Sequence, residues 1–447
     1  MPNSFTSYWK LHKVSILLAL LCLGFYYTFA YYLQRADFVK LLTLFAAAFF
    51  ICFKLIQFEK WNFRFLLIVG IFFRLVFLYS EPNLSQDYYR FIWDGELVSH
   101  FINPYLQLPN TLIEQSDLVI ANANELHGGM GSLSARHYSN YPPLNQLLFA
   151  ISAFLGGTSI LGTTIIMRIL IILADIGILY FGRKLLKNIN RPPHLIFWYF
   201  LNPLVLIELT GNLHFEGVML FFFVWALYFL SVNKWQWAGV VLACSISIKL
   251  VPLLFLPLFL KHFKLKKAIG FYAIIGATSL LLFAPFYSSD FFANYSKTIG
   301  LWFSNFEFNA GLWNIVKQIG IQFDAKPWEL IKTYGKITPI ATIVAVLLLT
   351  FLRKNEKLPV LISSMLCVLT LYYFMSATVH PWYVIFLVVL GALTRYRYAF
   401  LWSAVIILSY YAYSLTDFKE SLWLLAIEYL AVFTFLIHEL VAYRNKT

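Results

Sequence analysis

Apolar runs of about 17–22 residues recur along the whole of this 447-residue chain. Each is long enough to cross a bilayer as a helix, which satisfies its own backbone hydrogen bonds where no water can. Charge gives the complementary argument. Only 12% of residues are charged against 60% hydrophobic, whereas soluble domains carry about 25% charged residues. With a mean hydropathy of +0.72, the chain reads as an all-α polytopic membrane protein, a single transmembrane domain over 1–447.

The net charge of +13 is not a nucleic-acid surface, because the basic residues sit in small clusters at the ends of apolar runs, the pattern of cytoplasmic loops. Lys10 and Lys13 put the N-terminus in the cytoplasm, and the run from about Val14 to Tyr32 is read as a retained first span. Lys54, Lys60 and Arg64 mark the next inside turn, so a third span, roughly Phe65 to Ser80, leads to the outer face. Two stretches need a special reading. YPPLNQLLFAISAFLGG (141–157) is short and opens on two prolines; as a helix on the outer surface it keeps GRKLLKNINR (182–191) inside. The stretch Trp237–Lys267 is expected to form two short helices meeting near Lys249 and Pro252.

About 12–14 membrane segments result, with both termini cytoplasmic. The outer face collects a first loop over 81–141, a second over 287–334, TGNLHFEG (210–217), the Lys249 tip and SATVHPWY (376–383). ANANELHGGMGS (121–132) reads as a mobile loop. The four cysteines, Cys22, Cys52, Cys244 and Cys367, lie inside apolar runs without metal-ligand spacing.

The first outer loop carries SQDYYRFIWDGELVSH (85–100). At 100° per residue Asp87, Arg90 and Asp94 share one arc, with Tyr89, Ile92 and Trp93 on the far side. This predicts an interfacial helix with its rings among headgroups and its carboxylates toward a cavity, ended by Gly95 and then NPY. The same arc also suits a self-paired face in which Arg90 neutralises both acids. Lys249 has no charged neighbour in the sequence; an intramembrane lysine is a functional-site candidate, here for a lipid phosphate, although snorkelling also accounts for it. His214 and Glu216 begin the following span, where an acid also suits a helix N-terminus. His380, ahead of Pro381, Trp382 and Tyr383, offers a phosphate or sugar contact or joins an aromatic belt. Acids, cations and rings around a cavity open to lipid fit sugar transfer from a lipid-phosphate donor. A carboxylate takes the acceptor's proton, and cations stabilise the departing phosphate.

The ordered set D-Y-Y-R-x-x-W-D-G, N-P-Y, Y-P-P-L, H-x-E, the lysine-proline hairpin, FEFNAGLW (306–313) and H-P-W-Y resembles the GT-C superfamily of membrane glycosyltransferases. It is most similar to bacterial polyprenyl-phosphate-mannose-dependent α-mannosyltransferases, through motifs scattered from about Ser85 to Tyr383. The resemblance implies a GT-C-like fold and a polyprenyl-phosphate mannose donor. It also implies a glycan or glycolipid acceptor, inversion at the anomeric carbon, and an active site on the outer face of a bacterial inner membrane. Asp87 would be the catalytic base and Asp94 a second carboxylate or a partner of Arg90. Lys249, Arg90 and His380 would face the phosphate, and Tyr89, Tyr141, His214, Glu216, Trp382 and Tyr383 the sugar and acceptor. This chain departs from relatives in having Tyr88 and Tyr89 after Asp87, Tyr141 before the paired prolines and Glu216 at the mouth. Those differences leave a divalent metal possible but not required.

Two other functions compete. A transporter or flippase would carry inverted repeats and paired broken helices, but the sequence has one broken hairpin and no repeat. A lipid-linked polysaccharide ligase or polymerase would favour arginine-rich outer loops, whereas the first has only Arg90 and Arg136 and the second none.

Overall fold

In the computed structural model, which describes residues 4–304 and 306–444, the chain begins as a helical hairpin. Its arms are α1 (Ser4–Tyr32) and α2 (Phe38–Glu59), joined by residues 33–37. Among the described residues seven helices are long and apolar enough to cross a membrane: Tyr8–Tyr32, Phe38–Glu59, Ile160–Asn188, Leu265–Phe286, Pro327–Leu352, Leu358–Met375 and Leu422–Tyr443. The pair Pro193–Phe200 and Pro203–Gly211, bent by 49°, makes an eighth crossing if taken as one span, and six shorter apolar helices fill in around these. The expected segments therefore divide between full-length spans and short pieces. Among the described residues no strand forms; one bridge pairs Phe308 with Thr378.

The short pieces have physical causes. The expected span over 65–80 is a helix of 13 residues, α3 (Phe63–Leu75). Its last turn carries Arg74, fully buried, whose Nε donates to Asp175 Oδ2 at 2.8 Å while Tyr199 Oη donates to Asp175 Oδ1 at 2.5 Å. Helix Trp235–Ile248 ends at an extended Lys249 (φ −146°, ψ 139°) and the 3-10 segment Val251–Leu258 begins just beyond it, so the expected break between two short helices falls at Lys249.

Basic clusters gather at one end of the bundle. Arg183 lies over the Phe63 ring at 4.1 Å, Trp61 meets His194 at 5.5 Å, and His262 Nδ1 is 3.0 Å from the Asn355 carbonyl. The 33–37 turn and the segment after α3 lie at the opposite end, because α1, α2 and α3 succeed one another through short turns.

Three expectations at that opposite end are corrected. The helix predicted to stop at Gly95 is α4 (Asp87–Ser99) and runs through it; a Cβ there would stand 2.5 Å from the Phe149 carbonyl oxygen, so the glycine serves a close approach. Ile92 and Trp93 do not reach toward headgroups but are buried, because the helices Ala123–Ala135 and Pro143–Gly156 both pack on α4. The segment expected to be a mobile loop, 121–132, is mostly that first helix, kinked at Gly131 (φ +76°). Its Gly129 sits against the Tyr89 ring, where a Cβ would come within 2.6 Å. Small residues read as flexibility in fact permit contact. In the second loop, helices Phe291–Ser304 and Gly311–Gln322 form, and the next begins at Pro327 rather than near Tyr334.

Candidate functional site

Asp87 opens α4, where a carboxylate is favoured by the unpaired N–H groups of the first turn. Its own N–H donates to Ser85 Oγ at 3.3 Å. Among the described residues its half-buried carboxylate has no hydrogen-bond donor. Burial pushes this carboxyl above the usual range; Lys249 and then Arg35 pull it back, and the charge of Glu216 pushes it up again.

Arg90 and Asp94, on the same arc, do something else. Arg90 Nε donates to Asp94 Oδ1 at 2.7 Å, and its Nη1 donates to the carbonyls of Ser134 (2.7 Å) and His137 (2.9 Å). Gln146 Nε2 donates to Asp94 Oδ2 at 3.1 Å. Asp94 is wholly buried. This network ties α4 to the two helices packed on it, so of the two roles offered for Asp94, the one realised in the contacts is partner of Arg90. Tyr89 likewise stays with the 123–135 helix, outside the cluster around Asp87.

A deliberately irregular segment forms the opposite wall. Leu206–Gly211 is a π-helical turn, a form frequent at functional sites. The buried Arg168 holds its end, donating to the carbonyls of Thr210 (2.9 Å), Gly211 (3.2 Å) and Leu78 (3.0 Å). Leu213 then adopts φ +63°, and helix Glu216–Ser231 starts immediately after. Glu208 accepts from Tyr410 Oη at 2.6 Å and Asn212 Nδ2 at 3.2 Å, with His214 Nε2 at 3.6 Å. His214 thus lies in the turn and Glu216 in the helix. Lys249, without a charged neighbour in the sequence, meets Glu216 Oε1 at 2.9 Å and stands 5.3 Å from the centre of the Tyr141 ring.

A column of rings completes the site. Pro381 at the first position of its helix leaves His380 as the extended residue before it. Trp382 stacks on His214 (3.7 Å) and His380 (4.4 Å), and His380 stacks in turn on Phe308 (5.0 Å). Tyr383 sets its edge to His380 at 5.3 Å. Burial, then the charges of Arg35 and Lys249, lower His380 to about 3, and burial lowers His214 as well, so both rings are neutral. With its indole stacked on two imidazoles and only 9% exposed, Trp382 is a wall rather than an open sugar platform. His214 Nε2, Glu216 Oε2 and His380 Nδ1 are buried without a hydrogen-bond partner. Three unmet polar atoms in one cluster mark a place for a polar ligand.

The structure therefore assembles Asp87, Tyr141, His214, Glu216, Lys249, His380, Trp382 and Tyr383; Arg90 and Asp94 pair with each other close enough to Tyr141 for their charges to act on its hydroxyl, and Tyr89 packs on the 123–135 helix. The structure adds Arg35, Glu208, Phe308, Tyr410 and Tyr413. Glu208 was signalled by being an acid within an apolar run; Arg35 was signalled by standing in a short turn away from the other basic clusters. Among the described residues no three His, Cys, Asp or Glu side chains converge as a metal site.

Compared with known families, the chain matches over residues 7–263 the MptA_B family model, described as alpha-(1->6)-mannopyranosyltransferase, N-terminal domain. No curated protein matches the chain. The matched region holds Arg35, Asp87, Glu216 and Lys249, whereas Phe308, His380, Trp382 and Tyr413 lie beyond it.

Proposed function

The chain belongs to the alpha-(1->6)-mannopyranosyltransferase family, and on that premise we propose that it transfers mannose from a polyprenyl-phosphate donor to a glycan or glycolipid acceptor, with inversion, at the outer face of a bacterial inner membrane. Mannosyl transfer and an integral-membrane fold come with the family and the seven long apolar helices. The donor, acceptor, face and stereochemistry are our reading.

Asp87 accepts the proton of the acceptor hydroxyl as that oxygen attacks the anomeric carbon. The bond from that carbon to the phosphate oxygen breaks, and its electron pair leaves with the phosphate. Attack opposite the leaving group inverts the centre, so a β-linked donor yields an α-linked product. Lys249, held by Glu216 and set over Tyr141, meets the negative charge growing on the leaving phosphate. Arg90 and Asp94 keep α4 in place. His214 and His380 offer neutral ring nitrogens to the sugar or phosphate, and Tyr383 and Trp382 wall that side. The positive-inside pattern supports the outer face, since the basic clusters lie at the end of the bundle remote from Asp87.

The observation that carries this reading is Asp87, a half-buried carboxylate free of donors beside Lys249. The test is transfer by purified protein in nanodiscs offered polyprenyl-phospho-mannose, polyprenyl-phospho-glucose or a nucleotide sugar, with a crude lipid extract as acceptor pool, read by mass spectrometry. Wild type should consume the polyprenyl-phospho-mannose, and Asp87→Asn should do so about 10²–10⁴-fold more slowly. Equal rates in the two proteins, or no use of any lipid-phosphate sugar, would overturn it.

A further inference from the structure

Charge balance at the site points to a residue outside the motifs. Lys249 is already neutralised by Glu216 at 2.9 Å, and both imidazoles are neutral. The remaining cation is Arg35, in the 33–37 turn between α1 and α2. Its guanidinium carbon lies 3.2 Å from the centre of the Tyr413 ring. Among the described residues no carboxylate pairs with it, and its buried Nε has no hydrogen-bond partner. Asp37, two residues on, is exposed and does not compensate it.

Arg35 nonetheless belongs to the site. Tyr413 lies 5.8 Å from Phe308, which stacks on His380, and 5.7 Å from Tyr410, which holds Glu208. Arg35 also acts on the charge state of Asp87, after Lys249. Stacking on Tyr413 fixes the plane of the guanidinium and leaves its N–H edges for a ligand; the planar fork matches two phosphate oxygens, which a lysine ammonium cannot do.

Resting on the lipid-phosphate-sugar reading above, we infer that Arg35, delivered by the N-terminal hairpin, is a binding residue for the donor phosphate, gripping it from the side opposite Lys249–Glu216. In that arrangement the Lys249–Glu216 pair meets one non-bridging oxygen of the donor diester and Arg35 the other, and as the anomeric bond breaks the oxygen released from the sugar takes a second guanidinium N–H, so the α1–α2 hairpin completes a site whose base lies on α4.

The same chemistry would hold the phosphate of a bilayer headgroup, and the experiment separates the two. Full-length wild type and Arg35→Gln are compared in phosphatidylcholine nanodiscs by donor and acceptor kinetics. They are also compared by thermal stabilisation with undecaprenyl phosphate, phosphatidylglycerol or inorganic phosphate. We expect Arg35→Gln to raise the donor KM about 10–100-fold, the scale of a lost charge-assisted bond, and to leave the acceptor KM unchanged. Stabilisation by undecaprenyl phosphate should be lost, and Arg35→Lys should recover part of both. Because each shift is read from the variant's own melting point, a variant of lower stability still reports. An unchanged donor KM overturns the inference, as does equal stabilisation of wild type by phosphatidylglycerol. If wild type uses no lipid-phosphate sugar, the transferase reading fails, and the undecaprenyl phosphate arm still decides what Arg35 holds.

Discussion

Asp87 is useful as a base because two opposing effects act on one carboxylate. Burial raises its affinity for a proton, and Lys249 and Arg35 hold that rise in check. A protonated base cannot accept, so activity falls as pH drops through the Asp87 pKa, and the acid limb of kcat/KM should lie above the ordinary aspartate value of about 3.9. His380 cannot supply that limb, being held down to about 3. The signs then follow from the neighbours: Lys249→Met should move the limb to higher pH, and Glu216→Gln to lower pH. A profile unmoved by both would mean that the rate is not set by Asp87. Lys249 was legible as an unusual residue, but its partner was not, because Glu216 lies on a different helix 33 positions earlier.

Among elements, the short helices around α4 matter most, because they set where Asp87 points. Gly95 packs against the Phe149 carbonyl so closely that a Cβ would meet backbone at 2.5 Å. Gly95→Ala should push α4 away from the 143–156 helix, at a cost of about 1–3 kcal/mol. Misplacing Asp87 by about 1 Å should lower kcat by about 10²-fold. Gly128, on the 123–135 helix, has nothing within 4 Å of the same added atom. Gly128→Ala should keep full activity and gain about 0.5–1 kcal/mol from helix propensity. Melting temperature and single-turnover rate, measured on both variants, test the contrast; equal effects would refute the close-packing account. In a sequence the two glycines look alike. A glycine that breaks a helix and one that lets another backbone approach differ only in what stands opposite.

Across the molecule, buried ion pairs bind the thin helices into one body. Arg74 of α3 and Asp175 of the 160–188 helix meet at 2.8 Å with both side chains fully buried, and Tyr199 adds a third element. Arg74→Met would leave Asp175 buried without its cation, which typically costs about 3–5 kcal/mol. The expected result is a clearly lowered melting temperature in detergent, while Arg74→Met/Asp175→Leu should recover most of the loss; failure of the double variant to recover would show that the pair is not the source. The spans, their succession and the end at which the basic clusters gather were settled by local sequence, because lipid demands a fixed apolar length and basic residues mark one side of the bilayer. The acid at the head of α4, the lysine at the hairpin tip and the histidine before Pro381 were legible for the same reason: each is a polar group where burial is expensive. Only the tertiary structure decided that Asp94 serves Arg90, that Glu216 holds Lys249, and that Arg35 in a five-residue turn reaches the ring column from Phe308 to Trp382. The first pairing lies within one helix, where periodicity allows it but leaves open whether Asp94 faces the site or Arg90; the other two join residues tens to hundreds of positions apart, and no periodicity within one helix encodes which side chain a neighbouring element will bring to it.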